Sequence, residues 1–455
     1  MTRAGIEDDG RGAAPAAAPD RTVVALLVSV FCGMAATAAQ VTSLGKQVYD
    51  LTGRELDLGL VGLAEFAPAA LLVLVTGAVA DRHDRRRVAS SALAAEAVVA
   101  VALSLYAGSH PTAAGPIFGL VFGFGIARAF AAPASRALLS DIVPPHRLPW
   151  LVARFSFAWQ SALVAGPVLG GVLYTVDVRL PYAAAAGLLL VAAAALLVVR
   201  PLRATDAGRT SVAAAVQPAS PGDALAAAGA PAVAGSPAGG TPLRAGLRDA
   251  VEGFRFIRRV PVLLGALSLD LFAVLFGGAV ALLPAIATDR LGVDAAGLGW
   301  LRAAGGLGAG AVTLALTRRP LERRVGPALL LVVAAFGLFT IVLGVTRSYA
   351  VAFAAMVLLS AADAVSVFVR ATLVPLVTPG DKRGRVLAVE NVFIGGSNEL
   401  GAFESGVAGQ LLGPSGAVVL GGAATLVVAA AWGLLFPDLR RVDRFPAGTP
   451  DLSGA

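Results

Sequence analysis

Twelve stretches of this chain are each long and apolar enough to cross a lipid bilayer, and nothing else in the sequence constrains the fold as strongly. They lie near 23–43, 58–79, 88–108, 115–138, 149–175 and 180–199, then near 261–287, 298–317, 327–346, 350–377, 386–412 and 416–436. A helix needs about 20 such residues to cross the hydrocarbon core, and runs of this kind satisfy their own backbone polar groups there. Charged residues make up 14% of the chain, against roughly a quarter in a soluble domain. The expectation is an all-α membrane protein with twelve transmembrane helices. The first run is too long for a signal-peptide core and lacks a small-residue cleavage site, so it is expected to stay.

Several functions drop out at once. One cysteine, Cys32, cannot form an intramolecular disulfide or a thiolate cluster. The histidines His83, His110 and His146 are scattered through loops, so no metal site and no cofactor is expected. A net charge of +7 could suggest nucleic acid, but the basic residues sit in short loops, where topology explains them.

Those loops also set an orientation. Assigning alternate loops to opposite sides puts 26 Lys and Arg on one side, five on the other (Lys46, Arg54, Arg179, Arg290, Arg347) and five within spans. The bias predicts both termini in the cytoplasm. Residues 1–20 read as a disordered terminus, and 438–455 as a cytoplasmic tail.

Between the sixth and seventh spans, 201–242 is rich in Ala, Gly, Pro and Ser and reads as a flexible linker. Over 243–259, Leu243, Leu247, Val251, Phe254 and Ile257 recur at helical spacing, with Arg244, Arg248, Arg255 and Arg258 on other faces. This amphipathic helix suits an anionic membrane surface, or equally packing on the bundle. The linker divides the chain into six-span sets at 21–200 and 260–437. They resemble each other: "SRALLSDIVPPHR" and "VRATLVPLVTPGDKR" align at an offset of 234, pairing Arg136 with Arg370 and Pro145 with Pro379. Two six-helix, pseudo-symmetric bundles around a central site are the layout of a secondary transporter.

The loop after the second span reads "GAVADRHDRRRVA". It resembles the signature motif of the major facilitator superfamily, GxLaDrxGrkxxl, through Gly77, Asp81, Arg82, Arg85 and Arg86. Asp84 stands where the pattern has its second glycine, which puts the local turn in question. Such a charged cluster can latch two halves in one access state. On the fifth span, "GPVLGG" (Gly166, Pro167, Gly170, Gly171) looks like the core of the superfamily's antiporter motif, with Ala162 in place of an upstream glycine. Finally, "RAFAAPASRALLSDIVP" and "NVFIGGSNELGAFESG" resemble the branch that includes bacterial enterobactin exporters. The resemblance covers 21–441 and implies the major facilitator fold, a bacterial inner membrane, and proton-coupled export of a siderophore, metabolite or drug.

Ionisable side chains inside a bilayer cost roughly 2.5–3.5 kcal/mol on insertion scales, so each invites a functional reading. Near mid-span lie Asp270, Asp363, Glu399 and Glu404 in the second half, with Arg128, Arg154 and Glu96 in the first and Arg302 near one end of the eighth span. Burial favours a carboxylate's neutral form and a facing arginine its charged form. A carboxylate alternating between the two can load and release a proton. Asp363 and Glu399, then Asp270 and Glu404, are the coupling candidates, permanent salt bridges being the competing role. Asn391 and Asn398, seven apart, share a helix face beside Glu399 and suggest a cavity lining. Arg128, Arg154, Trp159 and Gln160 complete the cavity candidates, with helix packing the alternative for the aromatic; Glu390 reads as a gate or anchor.

No GxxxxGK[ST] sequence suggests ATP-driven transport, and no hydrolytic arrangement is visible, so an enzyme is not expected. The expected partners are a small-molecule substrate, protons and the lipid bilayer, with no nucleic acid, and the expected state is a monomer. An importer, or a non-transporting sensor or scaffold, remains the alternative.

Overall fold

The computed structural model describes residues 21–143, 147–199 and 242–446. The expected disordered terminus, nearly all of the 201–242 linker, the end of the tail and the Pro145 half of the Pro145–Pro379 match lie outside those residues.

The described chain is helical throughout. The first bundle holds α1 (Arg21–Thr52), α2 (Glu55–Arg82), α3 (Arg85–Gly108), α4 (Gly115–Ile142), α5 (Leu148–Val176) and α6 (Leu180–Val198). After α7 (Pro242–Arg259), the second holds α8 (Pro261–Phe276), α9 (Ala295–Arg318), α10 (Val325–Val345), α11 (Tyr349–Val377) and the 56-residue α12 (Gly380–Leu435). The eleventh and twelfth expected spans are the two arms of α12. They meet at Gly413, whose φ of 74° and ψ of 158° are reached essentially by glycine alone, and Pro414 follows. Gly401 on one arm and Gly421 on the other both pack on the end of α8, so the chain doubles back at this point.

Eight helices among the described residues are individually apolar and long enough to cross a membrane, the two-armed α12 among them. The twelve crossings are completed by α2, α4 and α9, which carry Glu65, Arg128 and Arg302. Loops alternate between two ends, named here after Gly53 in the α1–α2 turn and Asp84 in the α2–α3 turn.

The seventh span departs from the uninterrupted run expected over 261–287. Helix α8 stops at Phe276, capped by Gly277, and the chain continues as a tight turn over Ala279–Leu282 and further short turns to Arg290. A methyl on Gly278 would meet Ser405 Oγ at 2.5 Å and the Gly401 carbonyl oxygen at 2.6 Å, so the backbones touch directly. Unwound backbone at membrane depth is tolerated where it lines a cavity, as this segment does.

Each bundle has its own core, built around Leu26, Leu151 and Leu189 in the first and Leu263, Leu329 and Leu373 in the second. A third core at the Gly53 end joins them, packing Tyr49 and Leu58 against Leu282, Leu298 and Leu301. The α7 helix packs on the first arm of α12. Ile257 is fully buried, Arg385 bonds Glu252 at 2.8 Å, and Phe254 meets Phe393 edge-on. The start of the tail also folds back, with Gly326 N–H donating to the Val442 carbonyl at 2.9 Å and Phe445 meeting Phe368.

Candidate functional site: a charged cavity between the bundles

A cavity of about 350 Å³ lies where the bundles face each other, lined from α1, α2, α4 and α5 on one side and α8 to α12 on the other. Most of its wall is apolar, with Met34, Val41, Val61, Leu163, Phe336 and Met356 among the lining side chains. Eight ionisable groups break that surface: Glu65, Arg128, Asp270, Arg302, Asp363, Arg370, Glu390 and Glu399.

Two arginines organise most of them. In the first bundle Arg128 Nη1 stands 3.3 Å from Glu65 Oε1, linking α4 to α2. Gly125 permits this, because a Cβ there would collide with the Glu65 carbonyl oxygen. Glu96 of α3, 2% exposed, belongs to the same electrostatic neighbourhood. In the second bundle Arg370 Nη2 stands 2.7 Å from Asp270 Oδ1, linking α11 to α8, with both side chains under a tenth exposed. Asp363, seven residues before Arg370 on the same face of α11, and Glu390 of α12 share that neighbourhood. Glu390 is 3% exposed and its Oε2 has no hydrogen-bond partner.

Glu399 belongs to the second bundle in sequence and to the first in surroundings. A methyl on Gly62 of α2 would lie 2.9 Å from Glu399 Oε2, and the charges that act on this carboxylate are Glu65 and Arg128. Asn391 and Asn398 line the cavity on the same helix, each donating its amide N–H to its own helix, at the carbonyls of Leu387 (2.9 Å) and Ile394 (2.7 Å).

The cavity therefore brings together Arg128, Asp270, Asp363, Asn391, Asn398 and Glu399, and leaves out four other expected residues. Glu404 is half-buried on α12 but off the lining. Arg154 is exposed and lies on the Trp150 ring, 3.9 Å from its centroid. Trp159 stacks on Phe155 inside the first core, its Nε1 buried without a partner. Gln160 is a bridge between bundles, donating to the Gly306 carbonyl of α9 at 2.7 Å. Sequence reasoning passed over Glu65, whose signal was a lone carboxylate in "GLAEFAP", and read Arg370 only as a repeat partner.

The two sequence motifs sit at opposite ends. Gly77, Asp81 and Arg82 end α2, and their surroundings lie outside the described residues. Arg85 and Arg86 open α3, with Asp84 as its N-cap: Asp84 Oδ1 accepts from Arg86 N–H at 3.0 Å, and its φ of −60° needs no glycine. The Arg86 guanidinium holds the Asp84 carboxyl below the usual carboxylate range and donates to the Val199 carbonyl at 2.7 Å, tying α3 to the end of α6. In "GPVLGG", methyls on Gly166 and Gly170 would lie 2.6 and 2.5 Å from the carbonyl oxygens of Ala35 and Ala39 on α1, and Gly171 abuts Ala295 and Gly299 of α9. Small residues thus let α5 seat on α1 and on the opposite bundle. With α2 packed on α12 through Gly59 and Gly406, these contacts close the Gly53 end of the cavity.

Among the described residues, no group of three His, Cys, Asp or Glu side chains is placed to hold a metal ion. The family described as Major Facilitator Superfamily matches residues 23–365. No curated protein sequence matches significantly. Among solved structures, the chain is similar to a bacterial homolog of the human lysosomal transporter Spinster in an inward-facing, unoccupied conformation, at TM-score 0.65 and 17% identity over 94% of this chain and 98% of that one. It is also similar to the human organic anion transporter MFSD10, at 0.56 and 19% over 91% and 100%. A third is a POT family transporter in complex with 5-aminolevulinic acid, at 0.65 and 11% over 92% and 96%.

Proposed function

This chain belongs to the Major Facilitator Superfamily, and from that premise we propose that it is a proton-coupled exporter of a small amphipathic molecule, working by alternating access in a bacterial inner membrane with both termini in the cytoplasm. The loop arginines support that orientation, which makes the closed Gly53 end the outer one. The "GPVLGG" packing of α5 supports export over import.

The observation that carries the reading is the position of Glu399. Its carboxylate comes from one bundle and rests on the backbone of the other at Gly62, beside the Glu65–Arg128 pair. Parting α2 from α12 at this end strips Glu399 of both and exposes it to water. A carboxylate whose surroundings change with access state is the element that couples a proton to the cycle. Asp363, held within the second bundle beside Asp270 and Arg370, is the second coupling group.

The test compares metabolites inside and outside cells carrying the wild-type gene, no gene, or Glu399→Gln, under iron-poor and iron-rich growth. A molecule retained inside both in the null strain and in Glu399→Gln identifies the cargo and supports coupling, and retention confined to iron limitation marks it as a siderophore. Unchanged profiles in the null strain, or full export by Glu399→Gln, would overturn the reading.

A further inference from the structure

The charges lining the cavity do not balance pairwise, and the surplus is sorted along its depth. Glu65–Arg128 and Asp270–Arg370 are closed pairs. Arg302, Asp363, Glu390 and Glu399 have no oppositely charged side chain within 4 Å among the described residues. Only one of these four is a cation.

Arg302 forms part of the cavity roof. Its guanidinium crosses from α9 to α1, where a methyl on Gly45 would lie 3.5 Å from Nη2, and its Nε is buried without a hydrogen-bond partner. The carboxylate whose charge acts on it, Glu65, is already engaged by Arg128. At 1.5 Å per residue, Arg302 lies about 10 Å from the Gly53 end of its helix and Asp363 about 21 Å from the same end of α11. The free cation Arg302 and Asp363, one of the three free carboxylates, are thus roughly 10 Å apart in depth, with Met356 and Leu359 lining the wall between them.

A guanidinium whose Nε is buried without an acceptor is a costly arrangement that a ligand can relieve. A purely anionic cargo would meet Asp363, Glu390 and Glu399 with nothing to offset them. A purely cationic one would meet Arg302. We propose that the cargo is a zwitterionic amphiphile, with an anionic group at Arg302 and a protonated amine at Asp363, joined by an apolar body about 10 Å long. This rests on the export function proposed above: an ammonium at Asp363 takes the place of the proton that this carboxylate carries, so loading cargo releases the proton.

The experiment uses three probes of equal length, ω-aminooctanoate, octanoate and octylamine, titrated calorimetrically into the full chain in nanodiscs against empty nanodiscs, without a proton gradient. The zwitterion should bind about tenfold tighter than either single-ended probe, the equivalent of one charge-assisted hydrogen bond, and ω-aminobutyrate, too short to span, should lose that advantage. Arg302→Gln should erase the preference over octylamine, and Arg302→Lys should keep it. Equal binding of the three probes by the wild-type chain, no binding of any, or an advantage that survives Arg302→Gln would overturn the proposal. The zwitterion preference without gradient-driven flux would leave this inference standing and sink the exporter reading; coupled flux of another cargo with no preference would do the reverse.

Discussion

The carboxylate of Glu399 and the α-carbon of Gly62 form a contact between the two bundles in which a side chain of one rests on the bare backbone of the other. A methyl group at Gly62 would stand 2.9 Å from Oε2. The side chain is flexible and can retreat from so small an addition. The rest of the α2–α12 contact cannot yield in that way, and this difference gives a first prediction.

At Gly59 an added Cβ would meet the Ala402 carbonyl oxygen at 2.9 Å and Phe403 Cα at 3.0 Å, both backbone. Gly59→Val should therefore force α2 and α12 apart at this end. A penalty of about 1.4 kcal/mol shifts the closed-to-open ratio tenfold. Spin labels at Arg54 and Leu411, placed in a Cys32→Ser background, should report a new, longer distance by pulsed electron resonance. Gly115→Val, with nothing within 4 Å of the added carbon, should leave the distribution unchanged. An unshifted distance in Gly59→Val would show that this contact does not set the closed state.

The Asp270–Arg370 pair should respond asymmetrically to substitution. With side chains 7% and 4% exposed, each partner compensates a charge that otherwise stands nearly alone. Arg370→Met strands Asp270 beside Asp363 and Glu390, and breaking a buried pair in this way costs about 3–5 kcal/mol. Asp270→Asn combined with Arg370→Met removes both members and should recover part of that loss. Thermal unfolding in detergent should thus give a lower midpoint for the single Arg370→Met variant than for the double. The opposite order would mean that the pair is not the local source of stability.

The crossing pattern was legible in the sequence because hydrocarbon length and backbone hydrogen bonding leave few alternatives. The rotation of each helix about its axis was not. Lipid tails are as apolar as a leucine core, so the stripe that faces a cavity does not stand out by hydrophobicity from one facing lipid. Arg128 and Arg154 look alike in sequence, yet one lines the cavity and the other lies exposed on Trp150. Trp159 is equally uninformative alone, and only the packing shows it against Phe155. The break after Phe276 was hidden because Gly277 and Gly278 are unremarkable among 53 glycines until Ser405 and Gly401 are seen against them.

The reversal inside α12 depends on one residue. Gly413 has a φ of 74°, a region that costs an L-residue of order 1–3 kcal/mol. Space is not the obstacle, since nothing lies within 4 Å of an added Cβ. Gly413→Ala should destabilise the second bundle by that order, seen as a lower unfolding midpoint, with no change in the reach of its two arms. A variant as stable as the wild type would indicate that the turn relaxes to another conformation.

Asp84 replaces a glycine of the family pattern and should make the α2–α3 turn pH-sensitive. Its carboxyl, held low by the Arg86 side chain and by backbone N–H groups at the start of α3, is a helix N-cap, a role worth about 1 kcal/mol against alanine. Because the folded value is depressed, the stabilisation is fully present above the unfolded value of about 3.9 and is lost as pH falls through the lower folded value. Amide exchange at Arg86 and Arg87, corrected for the intrinsic chemical rate, should therefore show constant protection from neutral pH down to about pH 4 and then lose it. Asp84→Asn keeps a capping oxygen that does not titrate, so protection there should stay flat, while Asp84→Ala should be unprotected at every pH. Identical protection in all three proteins would remove the cap from the account of how this turn holds without its glycine.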